Sequence, residues 1–293
     1  FASPYLWKKL GDRYPIVCFS TSPYSSKIIK EGTVYIKRRK RTWLASLEGN
    51  FDPGQVLQLG RLFPQAAHCR IPALTSLNNI GAVFHPAAYL LNMEAIEQAA
   101  KDNNPFSFYM EGIFYNSEVA STLEQIDQVR LQIAQRLGMN VFGLAENPRE
   151  DVWRKLITGM RALEEEHEDE ILELREIRKL FIKFLNNSVL SAQHWLDITY
   201  GVTRVQGESL GSAIGRTPTY QNMSVPQIRY MEEDIPTGLV PLEAIAIRLG
   251  IDASPLTTII DKYNNIQGGE ARASGRGLRE FSSDFIRDYL LGS

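Results

Sequence analysis

A histidine that precedes a proline is pushed toward extended geometry, and His85-Pro86 stands at the head of an apolar helical pattern, with the proline suited to a first helical position. An imidazole at such an N-cap sits at the positive end of the helix dipole, and a carboxylate partner would act on it in the opposite sense. The two together suit a ring that both takes and gives a proton. Amides and hydroxyls crowd the same stretch: Thr75, Ser76, Asn78, Asn79 and Asn92. From these residues alone His85 reads either as a proton-transfer group or as a structural N-cap histidine.

A second segment, Arg229-Tyr-Met-Glu-Glu-Asp-Ile-Pro236, carries complementary chemistry. A guanidinium fork suits bidentate capture of a carboxylate, and Asp234 is the type of group that orients a histidine ring. The plainer alternative is a surface ion pair just before a helix. Other candidates are weaker. His167 lies in the charge run 164–170, the pattern of a solvated helix face, and its consecutive carboxylates do not share a face for metal binding. His194 reads as a core or interface histidine, and nothing in the surroundings of His68 points to a role. Gly207-Glu-Ser-Leu-Gly211 matches the nucleophile elbow of α/β-hydrolases, but that order requires a histidine after the serine, and all four histidines precede Ser209. No Gly-x-Gly-x-x-Gly stands between a strand and a helix, so the usual dinucleotide loop is absent from these 293 residues. Cys18 and Cys69 are too few for a disulfide framework and read as buried thiols in a reducing, cytoplasmic setting.

The elements that must position these groups divide unequally. Strand signals are confined to residues 15–80. Gly32 to Lys37 alternates, and Thr42 to Leu47 is expected to pair back on it across the basic turn Lys37-Arg-Arg-Lys-Arg41, read as a solvated hairpin tip. Helical signals dominate after residue 84. One helix is expected to run from His85-Pro86 through Ala88, Leu91, Met93, Ile96 and Ala99. Another places Val119, Leu123, Ile126, Val129, Ile133 and Leu137 on one stripe, with Gly138 as C-cap. Further helices are expected over 151–163, 164–185, 242–249 and from Ser254-Pro255 to about Tyr263, with a last one capped by Ser282 or Ser283. The interval 199–236, rich in glycine and proline, reads as loop. The net charge of -2 gives no field to attract nucleic acid or anionic membrane, and no apolar run approaches the roughly 20 residues of a membrane span. Phe1 to Leu10 resembles the tail of a helix already under way and lacks the order of a signal peptide.

Several short motifs occur together and in order. Ser76-Leu-Asn-Asn-Ile-Gly-Ala-Val-Phe-His-Pro86, continuing to Leu90-Leu-Asn92, resembles the opening of the helical domain of the octopine/nopaline (opine) dehydrogenase family. Phe106-Ser-Phe-Tyr-Met-Glu-Gly112 and Ile126-Asp-Gln-Val-Arg-Leu-Gln-Ile-Ala134 resemble its next two landmarks. Arg229-Tyr-Met-Glu-Glu-Asp-Ile-Pro-Thr-Gly-Leu-Val-Pro241 is similar to a further one, and Gly275-Arg-Gly-Leu278 to its closing signature. The likeness covers roughly residues 70–280.

The resemblance implies a fold: an α/β remnant of a dinucleotide-binding (Rossmann-type) domain over 1–72, then a mainly α-helical domain over 73–293. The latter would be a bundle like the C-terminal domain of 6-phosphogluconate dehydrogenase. It implies an oxidoreductase that condenses an amino acid with a 2-oxo acid and reduces the imine with NAD or NADP in reduced form. His85 would then be the general acid/base, Asp234 the group that fixes its tautomer, and Arg229 a clamp for a substrate carboxylate or a support for that pair. Asn79, Asn92 and Tyr109 would be substrate contacts. No cofactor-binding residue is assigned, since the glycine-rich half of the nucleotide domain has no counterpart here. The partners are small molecules rather than nucleic acid or membrane, and a homodimer is compatible with the family. Two rivals stay open at this point: a simple 2-oxo or 3-hydroxy acid dehydrogenase on the same scaffold, and a helical binding module without catalysis.

Overall fold

The computed structural model describes residues 1–11, 14–38, 42–45, 53–64, 66–69, 71–79, 81–139, 207–221, 224–225 and 228–291. The expected helices over 151–163 and 164–185, with His167 and His194, lie outside the described residues.

Strands β1 (Cys18–Phe19), β4 (Thr42–Ala45) and β5 (Ala66–Cys69) form one sheet in the order β1-β4-β5. Strands β4 and β5 run parallel, with Thr42 opposite Ala66 and Ala45 opposite Cys69. Parallel neighbours need a crossover connection, and helix α2 (Pro53–Leu62) lies within it. The Phe63 ring just beyond α2 meets Phe19 edge-on at 5.0 Å, tying the crossover to the sheet. The expected pairing of β3 with β4 is wrong. Strand β3 (Thr33–Arg38) instead pairs antiparallel with β2 (Tyr24–Lys30) in a separate ribbon. The reason is the turn. Gly32, at φ +71, reverses the chain beside Glu31 without a steric cost, so the hairpin tip is there and not at the basic cluster. Lys37 and Arg38 lie at the ribbon's other end, opposite Ser25 and Tyr24.

The helical part begins with α3 (Pro72–Leu77), α4 (Gly81–Leu91) and α5 (Met93–Lys101). A π-helical turn, Met110–Phe114, leads to α6 (Ser117–Arg136), the longest described helix. Asn116 accepts from the Val119 N–H at its start, and Gly138 follows its end at φ +65. Val119, Leu123, Ile126, Val129 and Ile133 are buried as one stripe, each contributing roughly 1.5–3 kcal/mol against exposure. Arg130, on the same helix, is buried with Asp127 at 2.7 Å and donates to the Leu77 carbonyl at the end of α3. That fully paired cation fixes α6 against the segment entering α4.

After α7 (Leu210–Gly215) come α8 (Arg229–Asp234), a second π-helical turn (Ile235–Leu239), α9 (Val240–Arg248) and α10 (Ser254–Gln267). Short α11 (Ala271–Ser274) and α12 (Ser283–Leu291) follow. Helix α10 runs past the expected end to Gly268, a left-handed C-terminal glycine at φ +63. Ser282 caps α12 by accepting from the Phe285 N–H. The interval 199–236 is not all loop, since α7 and α8 lie in it. Among the described residues no helix is long and apolar enough to cross a membrane, and no cluster of His, Cys, Asp or Glu is suited to hold a metal ion.

Candidate active site

The histidine of the site is carried by α4, a helix that starts at Gly81, four residues before the expected N-cap. His85 is therefore inside the helix, and Pro86 follows it there rather than at the first position. Burial explains why the extended preference before proline is overridden. Phe84, Ala87, Ala88 and Leu90 are all buried, and only a helical backbone delivers them together to the core. Pro86 has no N–H to return to the preceding turn. Separately, Asn79 serves the start of the helix by accepting from the Gly81 N–H at 3.2 Å. With His85 a full turn from the start, the helix dipole acts on it only weakly, since that effect fades within the first turn. What orients the ring is a specific partner.

That partner is Asp234, 149 residues away, at the end of α8. His85 Nδ1 and Asp234 Oδ2 lie 3.1 Å apart. The side chains are 18% and 24% exposed, shielded enough to strengthen the contact and open enough to reach a ligand. A carboxylate accepts only, so in the neutral ring Nδ1 carries the hydrogen and Nε2 is left as the accepting atom. This pair can hold one tautomer, take a proton at Nε2 and stabilise the resulting cation.

The sequence reading missed Tyr230. Its ring centroid is 4.4 Å from that of His85, tilted by 50°. Tyr230 and Asp234 are four apart on α8 and share a face. The signal was the spacing itself, which carries meaning only once 229–234 is read as helix. Arg229 is the first residue of that helix, one position before Tyr230.

The remaining candidates divide. Asn79 is exposed beside Gly81, near the His85 ring: a Cβ added to Gly81 would sit 3.3 Å from Asn79 Oδ1 and 3.6 Å from His85 Nδ1. Asn92 is buried where α4 gives way to α5, and this is why the expected single helix is two. Its amide donates to the carbonyls of Ala88 at 2.7 Å and Gly112 at 2.9 Å, and its oxygen accepts from Asn116 at 3.2 Å. Both amide hydrogens are thus directed to the scaffold, and Asn92 forms a joint between α4, the first π-turn and α6. Tyr109 is half-buried in an aromatic row, 4.3 Å from Tyr220 and 5.2 Å from Phe108, whose ring lies 6.5 Å from Tyr89 of α4. Ser209, of the hydrolase-like motif, is the N-cap of α7, accepting from the Ser212 N–H.

Behind the pair, the segment after Asp234 is gripped by the glycine-rich signature. Arg276 N–H donates to the Pro236 carbonyl at 2.8 Å. A Cβ on Gly275 would come within 2.5 Å of that oxygen and would also strike the Ala271 carbonyl. Arg272 braces the same region, bonding both oxygens of Glu243 at 2.6 and 2.7 Å and Asp261 at 2.6 Å.

A nicotinamide dinucleotide needs a strand-to-helix turn rich in backbone N–H groups for its pyrophosphate. The turn from β5 into α3 runs through Pro72, which has none to offer, and the turn leaving β4 lies outside the described residues.

The chain thus carries a histidine–carboxylate pair on its helical part, which follows an α/β segment with a parallel crossover. The family model described as NAD/NADP octopine/nopaline dehydrogenase, alpha-helical domain, matches residues 72–168 and 160–267, more than half of the chain. The chain belongs to the octopine/nopaline dehydrogenase family. It is 24% identical over 226 residues to an opine dehydrogenase of Arthrobacter sp. (strain 1C), covering 76% of this chain and 47% of that protein. The chain thus spans about half the length of the curated relative it matches. Octopine dehydrogenase solved with NADH and agmatine shares the fold at TM-score 0.57 and 16% identity, over 95% of this chain and 65% of that one. An octopine dehydrogenase solved with NADH and pyruvate gives TM-score 0.55 at 17% identity, over 95% of this chain and 64% of that one.

Proposed function

We propose that the protein catalyses the NADH- or NADPH-dependent reductive condensation of an amino acid with a 2-oxo acid. The observation that carries this is the contact of His85 Nδ1 with Asp234 Oδ2 at 3.1 Å, which joins two motifs 149 residues apart into one acid/base unit. In this reading residues 1–72 close a nucleotide-binding domain, 73–293 form the helical domain, and the nucleotide is held outside the described residues. The reduced nicotinamide supplies a hydride.

The rest is proton handling by this chain. With Nδ1–H held by Asp234, His85 takes a proton at Nε2 from the substrate ammonium, freeing the amine to attack the keto carbon. The same Nε2 returns that proton to the hydroxyl of the adduct, the C–O bond breaks, water leaves and the C=N bond forms. One amine, one oxo acid, one hydride and one proton give one secondary amine and one water. Arg229 is assigned to a substrate carboxylate, and Asn79 and Tyr109 to substrate contacts.

The test is oxidation of NADH and NADPH by the full-length protein with pyruvate and a panel of amino acids, in wild type and His85→Ala. Amine-dependent turnover that falls on the order of 10²–10⁴-fold in the variant is expected for loss of a general acid/base. Reduction of the oxo acid without amine would give the simple dehydrogenase reading instead, and no turnover at all would leave a binding module.

A further inference from the structure

We propose that Tyr230 is a positioning residue for His85, its ring fixing the plane of the imidazole so that Nδ1 stays on Asp234 and Nε2 stays aimed at the reacting atoms. The inference rests on the acid/base role proposed for His85. A single hydrogen bond to one ring nitrogen pins one point of an imidazole, and the ring can still swing about it. Here the other restraint comes from the same helix face: Tyr230 lies 4.4 Å from the His85 ring, and Asp234 holds its edge at 3.1 Å. Because the two are four residues apart on α8, the carboxylate and the ring move as one body. They hold the imidazole by its edge and through a ring packed beside it at a 50° tilt. With the pair partly exposed, water competes for the Nδ1–Asp234 bond, and a ring packed on one side removes part of that competition. An aromatic face near the imidazole also favours the cation formed when Nε2 is protonated. The flat ring is the agent, and the hydroxyl is not required.

The experiment compares Tyr230→Phe, Tyr230→Leu and Tyr230→Met in the full-length protein by two readouts. The first is the NMR signal of the His85 Nδ1–H, assigned by its loss in His85→Ala and needing no turnover. Tyr230→Phe is expected to keep it sharp, while Tyr230→Leu and Tyr230→Met broaden it through faster exchange with water. The second is the split of kcat against KM in amine-dependent NAD(P)H oxidation. Loss of orientation is expected to lower kcat on the order of 10- to 100-fold in Leu and Met with KM little changed, and Phe is expected to match wild type. Methionine fills the volume without a flat face, so a fall shared by a well-folded Met variant excludes simple unfolding. An unchanged Nδ1–H signal in Leu and Met, or a Phe variant as damaged as Leu, would overturn the proposal. Absence of turnover in wild type would sink the proposed reaction alone, because the NMR comparison still decides the role of Tyr230.

Discussion

Asp234 separates positioning from stability most cleanly at the scale of single residues. Its carboxylate accepts from His85 Nδ1, and an asparagine of the same shape can turn its NH2 toward that nitrogen, which then presents the wrong tautomer to the substrate. Asp234→Asn should therefore lower kcat on the order of 10²–10⁴-fold, because only the proton transfers depend on the tautomer. Its effect on folding should stay within about 1 kcal/mol, since the side chain is a quarter exposed and water can replace the contact. Steady-state kinetics alongside thermal melts checks both, and a variant that melts far below wild type would make Asp234 a structural residue. Asn92 sits at the opposite extreme: buried, with its amide spent on Ala88 and Gly112, it belongs to the scaffold. No local pattern separated these two polar residues in the sequence. His85 and Asp234 were legible because their motifs occur in the family's order, whereas the fate of Asn92 depends on a carbonyl 20 residues away.

Elements were legible where one face buries and both ends carry caps. Helix α6 has its stripe, Asn116 before it and Gly138 after it, and its limits follow from these signals. Helix α8 was not legible, because six residues carry less than two turns of periodicity and glycine and proline surround it. The break between α4 and α5 was hidden too, since the apolar pattern runs through Asn92 without interruption. What holds α8 in register is also nonlocal. The π-turn leaving Asp234 presents the Pro236 carbonyl to Arg276 N–H, and Gly275 lets the two backbones meet. The backbone of Gly275 lies at φ -88, so an added methyl is rejected by contact rather than by torsion. Gly275→Ala must push Pro236 away and, with it, the end of α8. The expected cost is about 1–3 kcal/mol from overpacking. The fall in kcat should be larger than that cost explains, because Asp234 shifts against His85 and a displacement near 1 Å is worth roughly 100-fold. Denaturant melts and kcat together test this. A variant with unchanged activity would show that the signature does not support the site.

At the scale of the whole molecule, helices far apart in sequence close on one another. Ser3 of α1 (Ser3–Leu10) donates to the Tyr289 hydroxyl of α12 at 3.1 Å across 286 residues, Trp7 packs edge-on against the same ring, and Tyr5 accepts from Leu278 N–H. The clasp holds α1 against α12 and, through Tyr5, against Leu278 of the Gly275 signature. Burial pushes the Tyr289 hydroxyl well above its ordinary range, because the phenolate would lose its water, and the Ser3 bond opposes this only in part. The linkage has a definite sign. The folded state keeps this proton while the unfolded chain releases it near the ordinary value of about 10. The stabilisation is therefore complete below that value and lost steadily as the pH rises above it. Tyr5, raised chiefly by its own burial, adds to the same slope. Unfolding free energy measured from pH 8 to 11 should be flat at first and then decline. Tyr289→Phe should lose about 1 kcal/mol at pH 8 with the Ser3 hydrogen bond, yet decline less steeply above pH 10 because one of the releasing groups is gone. The two curves should converge at alkaline pH. Parallel curves would mean that Tyr289 ionises as readily in the folded protein as in the unfolded chain, and that the clasp is open to solvent.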